Sequence, residues 1–407
     1  MRPCTVRTSS FLASILMVLV LGCREDTESP TAPGSEPALA TTAAALAFSG
    51  ISSGWMHSCG LTTDNRAYCW GENGNGQLGD GTTTDHPTPV AVAGGLRFRQ
   101  LSAGFLNTCG VTTGFKAYCW GNNQVATVGD GTTTERHAPA AVAGGLLFSQ
   151  VEVNFGHACG LSSSNNKAYC WGENDDGQLG VGNNTGPEFG NFGPFSSKPV
   201  AVLGGFTFRR LTAGYHHTCG VTTGNKIYCW GLNKDGQLGD GTTVYRRTSP
   251  RLVTGGLAFN WVDAGSNFTC GVTTGSRAYC WGYGKFGQRG DGTVTERLRT
   301  PQVVFGNHAF IRVSAADVHA CATTPSSQAW CWGQNRAGEV GDGTTTLTKT
   351  PHLVSGGLAL DQVSTGAFHS CGKTTSAAGY CWGRNVEGQL GTGSGLINTT
   401  PAPVSGP

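Results

Sequence analysis

From Phe48 onward, apolar and polar residues alternate with period two in short runs, and the runs are broken by clusters of Gly, Asn and Thr. Period two marks half-buried strands, and such clusters mark turns. Pro89–Gly94, Leu96–Ala103, Asn107–Thr112 and Lys116–Trp120 therefore read as four strands of one unit. The block HSCGLTTDNRAYCWG at His57–Gly71 returns six more times, with its first cysteine at 59, 109, 159, 219, 270, 321 and 371. Seven units of about 50 residues thus fill 46–407. Four antiparallel strands repeated seven times predict an all-β fold, a seven-bladed β-propeller, because a blade cannot bury both faces alone and a ring can. Leu46–Ile51 matches the second strand of a unit and Pro401–Gly406 the first. The N- and C-terminal strands are therefore expected to share one blade and so close the ring without an open edge.

Fourteen of the sixteen cysteines fall into seven pairs: Cys59–Cys69, Cys109–Cys119, Cys159–Cys170, Cys219–Cys229, Cys270–Cys280, Cys321–Cys331 and Cys371–Cys381. A hairpin with a three-residue loop, one residue longer in the third pair, sets each pair directly opposite on neighbouring strands, within disulfide reach. The short C-x₂₋₄-C spacing of structural zinc sites does not occur, so no metal site is expected. In AYCWG the aromatic and the Trp point to one side of the blade and the cysteine to the other. Each blade should then offer an aromatic face to one neighbour and a disulfide face to the next.

Composition narrows the compartment and the partner. Glycine makes up 64 of 407 residues, more than double the usual share of roughly 7 %. The chain should be dense in turns and poor in helix. Charged residues are 13 % with a net charge of +2, which excludes a field able to hold nucleic acid. Arg2, Arg7 and the apolar run Phe11–Leu21 have the layout of an export signal over residues 1–22. Val20-Leu21-Gly22-Cys23 resembles a bacterial lipobox, which implies lipidation of Cys23; an ordinary secretory cleavage is the alternative. Residues 23–45, rich in Pro, Thr, Ser, Ala and Glu, are expected to form a disordered tether. Seven disulfides fit an exported protein, and the membrane is expected to be met only through the lipid.

WGENGNGQLGDG (70–81), WGENDDGQLGVG (171–182), WGLNKDGQLGDG (230–241), WGRNVEGQLGTG (382–393) and AGYHHTC (213–219) carry a wider pattern. They resemble the regulator of chromosome condensation repeat, and the resemblance covers all seven units. It implies a seven-bladed propeller but not one function. The family's eukaryotic namesake is a nuclear guanine-nucleotide exchange factor that also binds chromatin. Another member is a secreted bacterial propeller that covers β-lactamases with the aromatic-rich loops of one face. The export signal makes the second the nearer analogue.

His57, His157, His217, His319 and His369 recur around the ring and are expected to pack or hydrogen-bond within each blade rather than catalyse. Gly50-Ile51-Ser52-Ser53-Gly54 and Gly74-Asn75-Gly76-Gln77-Leu78-Gly79 match two catalytic patterns but lack the following helix that either chemistry needs. No catalytic residue and no cofactor are expected, and the chain reads as a non-enzyme and a monomer. Sites should instead lie where the units differ. At one loop position four consecutive blades carry Trp55, Phe105, Phe155 and Tyr215, and the next three carry Ser266, Asp317 and Ala367. The one long insertion, Gly182–Lys198, adds Phe189, Phe192 and Phe195 on the same face. Such an arc suits a protein partner or a glycan platform, and packing at the channel mouth stays open beside them. The expected function is a binding propeller outside the cytoplasm, with a carbohydrate-binding module and an exchange factor as alternatives.

Overall fold

The computed structural model describes residues 46–185, 188–190, 193–393 and 395–407. The expected signal peptide, Cys23 and the tether lie outside the described residues. Among the described residues, no helix is long and apolar enough to cross a membrane.

The first blade contains β1 (Phe48–Ser53), β2 (His57–Thr62), β3 (Ala67–Gly71) and β4 (His86–Ala91), each antiparallel to the one before. The other six blades repeat this order, and in the third a short hairpin segment, Glu188–Gly190, adds a fifth strand. The hairpin between β2 and β3 has the expected three-residue loop, closed by Thr62 N–H donating to Arg66 O, with Asn65 left-handed at φ 67°. That is the common three-residue hairpin geometry, and it fixes the register. Each cysteine consequently faces its partner, and all seven disulfides form, with Cα separations of 4.0–4.1 Å.

The expected strand sharing between termini is not what closes the ring. Each Pro-led strand belongs to the blade that precedes it, as the outer strand: Cys69 pairs with Val90, and in the last blade Tyr380 pairs with Pro403. Proline lacks the N–H that a central strand would need and fits an outer edge. The loop after Trp-Gly therefore turns back onto its own blade, and the Gly-Gly turn passes the chain to the next. Closure is a face-to-face junction like the other six. Ser53 N–H donates to Ser364 Oγ at 2.9 Å and Trp70 Nε1 to Gln389 O at 2.9 Å.

The core lies between blades, as the alternation predicts. Cys109 and Cys119 of the second blade pack with Phe148, Val151 and Trp171 of the third, and equivalent clusters fill the other junctions. All seven Trp of the Cys-Trp-Gly motif are fully buried. Their indole N–H groups cannot stay unbonded there. Each donates to a main-chain carbonyl of the preceding blade, Trp120 to Gln77 O and Trp382 to Glu339 O among them.

The recurrent histidines join this junction and bridge blades instead of bonding within one. His57 Nε2 lies 2.9 Å from Thr108 Oγ1, and Thr108 Oγ1–H donates to the same Gln77 carbonyl that Trp120 uses. The hydroxyl's proton is thus committed, so His57 must donate from Nε2 and carry a bare Nδ1. His157–Thr218, His217–Thr269, His319–Ser370 and His369–Ser58 repeat the relay. Burial pushes all five imidazoles down to about 3, which keeps them neutral. The two remaining junctions place Asn107 before Ala158 and Phe268 before Ala320, so the histidine is missing where its hydroxyl acceptor is missing.

Candidate functional site at the channel mouth

The first strand of each blade lines the central channel. Its third residue stitches to the next blade: the Gln100 amide accepts from Val151 N–H at 3.0 Å and donates to Val151 O at 2.7 Å, Gln150 does the same with Leu211 one junction further on, and Gln362 with Ile51 where the seventh blade meets the first. The fifth residue accepts a neighbouring N–H, as Ser52 does from Ala103 and Ser102 from Val153. The pattern changes over the third to sixth blades, where Glu152, Arg210, Trp261, Asp263 and Arg312 replace neutral side chains. Arg210 lies 3.5 Å above the Trp261 ring and 3.9 Å from Asp263, and Arg312 approaches the same ring at 5.2 Å. Burial pushes Glu152 up to about 7 although Arg210 opposes the shift. Together these residues line a polar cavity of ≈250 Å³.

The turn after each first strand brings its tip over this channel. Gly54 sits where an added Cβ would lie 2.4 Å from Gly104 O, so the turns of adjacent blades nearly touch. Side chains one residue further on must therefore converge. Trp55 stacks on Phe105 at 4.1 Å, Phe105 meets Phe155 at 5.0 Å and Tyr215 at 5.7 Å, and Phe155 stacks on Tyr215 at 5.5 Å. The four rings form one cluster at the mouth. Phe155 is 37 % exposed and the other three are half-buried. Burial, with the charge of Asp317 across the mouth, pushes the Tyr215 phenol far above its usual range. Burial also raises Asp317 itself, whose backbone carbonyl accepts from Ser266 Oγ at 2.9 Å.

Phe195 of the insertion does not extend this arc as expected. Phe195 is 7 % exposed and is opposite Glu173 in the outer strand Gly193–Ala201, so it serves the core. Phe189 lies in the added strand, and Phe192 falls outside the described residues. In its place the structure sets an acidic group beside the arc. His216 packs on Phe155 at 5.2 Å, and its Nδ1 lies 3.8 Å from both Glu173 Oε2 and Asp176 Oδ2. Burial, then Asp175 and Asp176, push Glu173 up to about 8. Residue-by-residue comparison of Glu173-Asn174-Asp175-Asp176 with Glu72-Asn73-Gly74-Asn75 would have flagged the charges. The neighbouring blade's histidine could be placed beside them only once the loops were known to converge.

Seven disulfide-stapled blades, latched by Trp, His and hydroxyl groups around a channel with one asymmetric mouth, define a β-propeller that can present a ligand surface at one face. The chain belongs to the regulator of chromosome condensation (RCC1) repeat family, whose models match residues 48–77, 148–178, 208–237, 262–288 and 361–389, and 64–110, 165–221 and 225–272. It is 29 % identical over 184 residues to the ultraviolet-B receptor UVR8 of Arabidopsis thaliana, a match spanning 45 % of this chain and 40 % of that protein. The chain therefore spans less than half the length of this relative. Its fold resembles Prp20p of Saccharomyces cerevisiae, described with its binding to Gsp1p and histones, at TM-score 0.72, 19 % identity, 86 % of this chain and 87 % of that one. It also resembles yeast RCC1 (Prp20) bound to Kap60, at TM-score 0.73, 17 % identity, 94 % of this chain and 91 % of the other.

Proposed function

We propose that this chain is a non-catalytic binding propeller, exported and held outside the cytoplasm by a lipid on Cys23, that takes a protein partner on the face bearing Trp55, Phe105, Phe155 and Tyr215. The observation that carries the reading is the asymmetry of the mouth. Four adjoining blades merge their rings into one partly exposed cluster, whereas the remaining three supply Ser266, Asp317 and Ala367. Clustered aromatics with an exposed edge are what interface hot spots are made of. Seven disulfides fit an oxidising compartment. The likeness to Prp20, seen bound to Kap60, gives the same fold a precedent for holding protein.

Phe155 is the residue to test, because it is the exposed edge of the cluster and its removal leaves Trp55 and Tyr215 each in contact with Phe105. Oxidised mature protein should capture a discrete envelope protein from detergent extract, and Phe155→Ala should reduce that capture at least tenfold while the melting temperature shifts by only a few degrees. Undiminished capture by the variant, or binding on a glycan array with no protein captured, would overturn the proposal.

A further inference from the structure

We infer that the third and fourth blades together build a binding site for a divalent transition-metal ion of the Zn²⁺ class, ligated by Glu173, Asp175 and His216 with Asp176 flanking. The donor atoms of Glu173, Asp175 and His216 all lie within 4.8 Å of one another. Donors about 2.1 Å from one tetrahedral ion stand about 3.4 Å apart, so shifts of well under 1 Å per side chain would close the set.

The imidazole is the independent pointer to a cation. His216 Nδ1 is sealed from solvent, has no hydrogen-bond partner, and stands 3.8 Å from two carboxylate oxygens. That distance is too long for a hydrogen bond; for Glu173 it suits two ligands that share an ion, and it leaves Asp176 close enough to flank them. The five latch histidines also carry a bare Nδ1, but there the ring is held by its Nε2 bond to a buried hydroxyl and, among the described residues, no carboxylate is paired with it. His216 has no such bond.

The repeat supplies an internal control. At the positions of Glu173, Asp175, Asp176 and His216 the first junction carries Glu72, Gly74, Asn75 and Leu106, and the fourth carries Leu232, Lys234, Asp235 and Asn267. The four groups coincide at the junction of the third and fourth blades, so the blade architecture does not require them. Supporting groups are already in place. Gln178 Nε2 is shared between Glu173 Oε2 at 3.4 Å and Asp175 Oδ1 at 3.3 Å. Arg246 and Asn184, the latter from the insertion, both donate to the Asp175 carbonyl and fix the loop. Such outer contacts orient metal ligands. A surface cavity bordered by Asp175, Asp176, Asn184, Tyr245 and Arg246 lies directly outside and gives an entry path. One imidazole with carboxylates favours Zn²⁺ or Mn²⁺ over Ca²⁺, which prefers an all-oxygen set.

The test is calorimetric titration of ZnCl₂ into chelator-treated, oxidised full chain, with CaCl₂ in parallel. One equivalent of Zn²⁺ should bind and raise the melting temperature. His216→Ala and Asp175→Asn should each weaken binding at least tenfold, and the exposed His352→Ala should leave it unchanged. Melting of each variant without metal checks folding; if His216→Ala does not fold, Asp175→Asn carries the test, since its side chain lies in a surface loop. Absence of saturable Zn²⁺ binding, equal affinity in the Asp175 variant, or tighter binding of Ca²⁺ than of Zn²⁺ would refute the site. The titration reads metal alone, so its result is separate from that of partner capture.

Discussion

Arg289 allows a sharp test of how this fold absorbs irregularity. Six blades place an aliphatic residue at this position, as at Leu78 and Leu238, and six carry Asn at the position of Gly284. In the regular blade Asn73 Nδ2 donates to Thr82 O and Thr84 O, and its Oδ1 accepts Leu78 N–H at 2.9 Å, which ties the long loop together. The fifth blade lacks that amide. Arg289 is only 1 % exposed and threads its guanidinium into the vacated space, donating to Thr295 O at 2.8 Å, Gly282 O at 3.2 Å, Thr293 Oγ1 at 2.9 Å and Asp291 Oδ2 at 3.0 Å. A Cβ on Gly284 would lie 2.1 Å from Arg289 Nη1, so neither residue tolerates the regular form of the other. Arg289→Leu alone breaks the buried pair with Asp291 and removes the donors to Thr295 O and Gly282 O, while Asp291 Oδ1 keeps its bonds from Thr293, a loss of about 3–5 kcal/mol. Gly284→Asn alone forces the guanidinium out and should cost a similar amount. The double variant regains the Asn–aliphatic arrangement that six blades use and should return to within about 1 kcal/mol of the parent, a coupling of about 5 kcal/mol or more between touching residues. At ~2.1 cal/mol/K per residue over the roughly 360 described residues, 4 kcal/mol corresponds to about 5 °C. Calorimetric melts of the four proteins under oxidising conditions give the cycle. Additive losses, or an Arg289→Leu melt within 1 °C of the parent, would show that the exchange is not compensatory.

Two further outcomes follow from the blade junctions. The five latch histidines hold folded values of about 3, below the unfolded value near 6.5. The unfolded chain therefore binds more protons below that value, so their stabilisation is complete above pH 6.5 and shrinks as pH falls towards 3, by up to about 2 kcal/mol per histidine at pH 5. Between pH 7.5 and 5.0 this loss is partly offset by Glu152 and Glu173, whose raised values favour the folded state as pH falls, so the variant is the check: replacing His57 and Thr108 by Asn and Ala, the pair native at 107 and 158, should shrink the loss seen between melts at pH 7.5 and 5.0 by about 2 kcal/mol. At the hairpin tips Ala377 is left-handed at φ 68°; Ala377→Gly should stabilise by about 0.5–1 kcal/mol, and a lowered melting temperature would contradict that reading.

The sequence exposed the parts of the fold that are local. Hairpin register, the seven bridges and the opposed aromatic and cysteine faces all follow from spacings within one unit, and each stands as expected. Blade membership was not legible in the same way. The strand from His86 to Ala91 has the same pattern whether it pairs with Ala67–Gly71 before it or Phe98–Ala103 after it, and only the path of the intervening loop decides. The latch from His57 to Thr108 was hidden for a related reason, since its partners are a full blade apart. The aromatic arc was visible because its four members share one loop position, whereas Phe195 misled because an inserted aromatic looks alike whether it faces solvent or lengthens an outer strand.

Sevenfold repetition makes each blade a control for the other six, and it separates two kinds of exception. Asn107 with Ala158, Phe268 with Ala320, and Gly284 with Arg289 are paired departures in which one change accommodates the other at a junction or within a loop. Such pairs preserve the ring and need no ligand to explain them. Trp55, Phe105, Phe155 and Tyr215, and beside them Glu173, Asp175 and His216, depart from the repeat without a partner that cancels the exposed apolar edge or the crowded charge. Uncompensated departures cost stability in the isolated chain, which is the physical ground for the partner and the ion proposed above. That the two sets touch through Phe155 and His216 at 5.2 Å concentrates the unexplained residues on the first to fourth blades of one face, and there a metal ion and a protein partner would be neighbours.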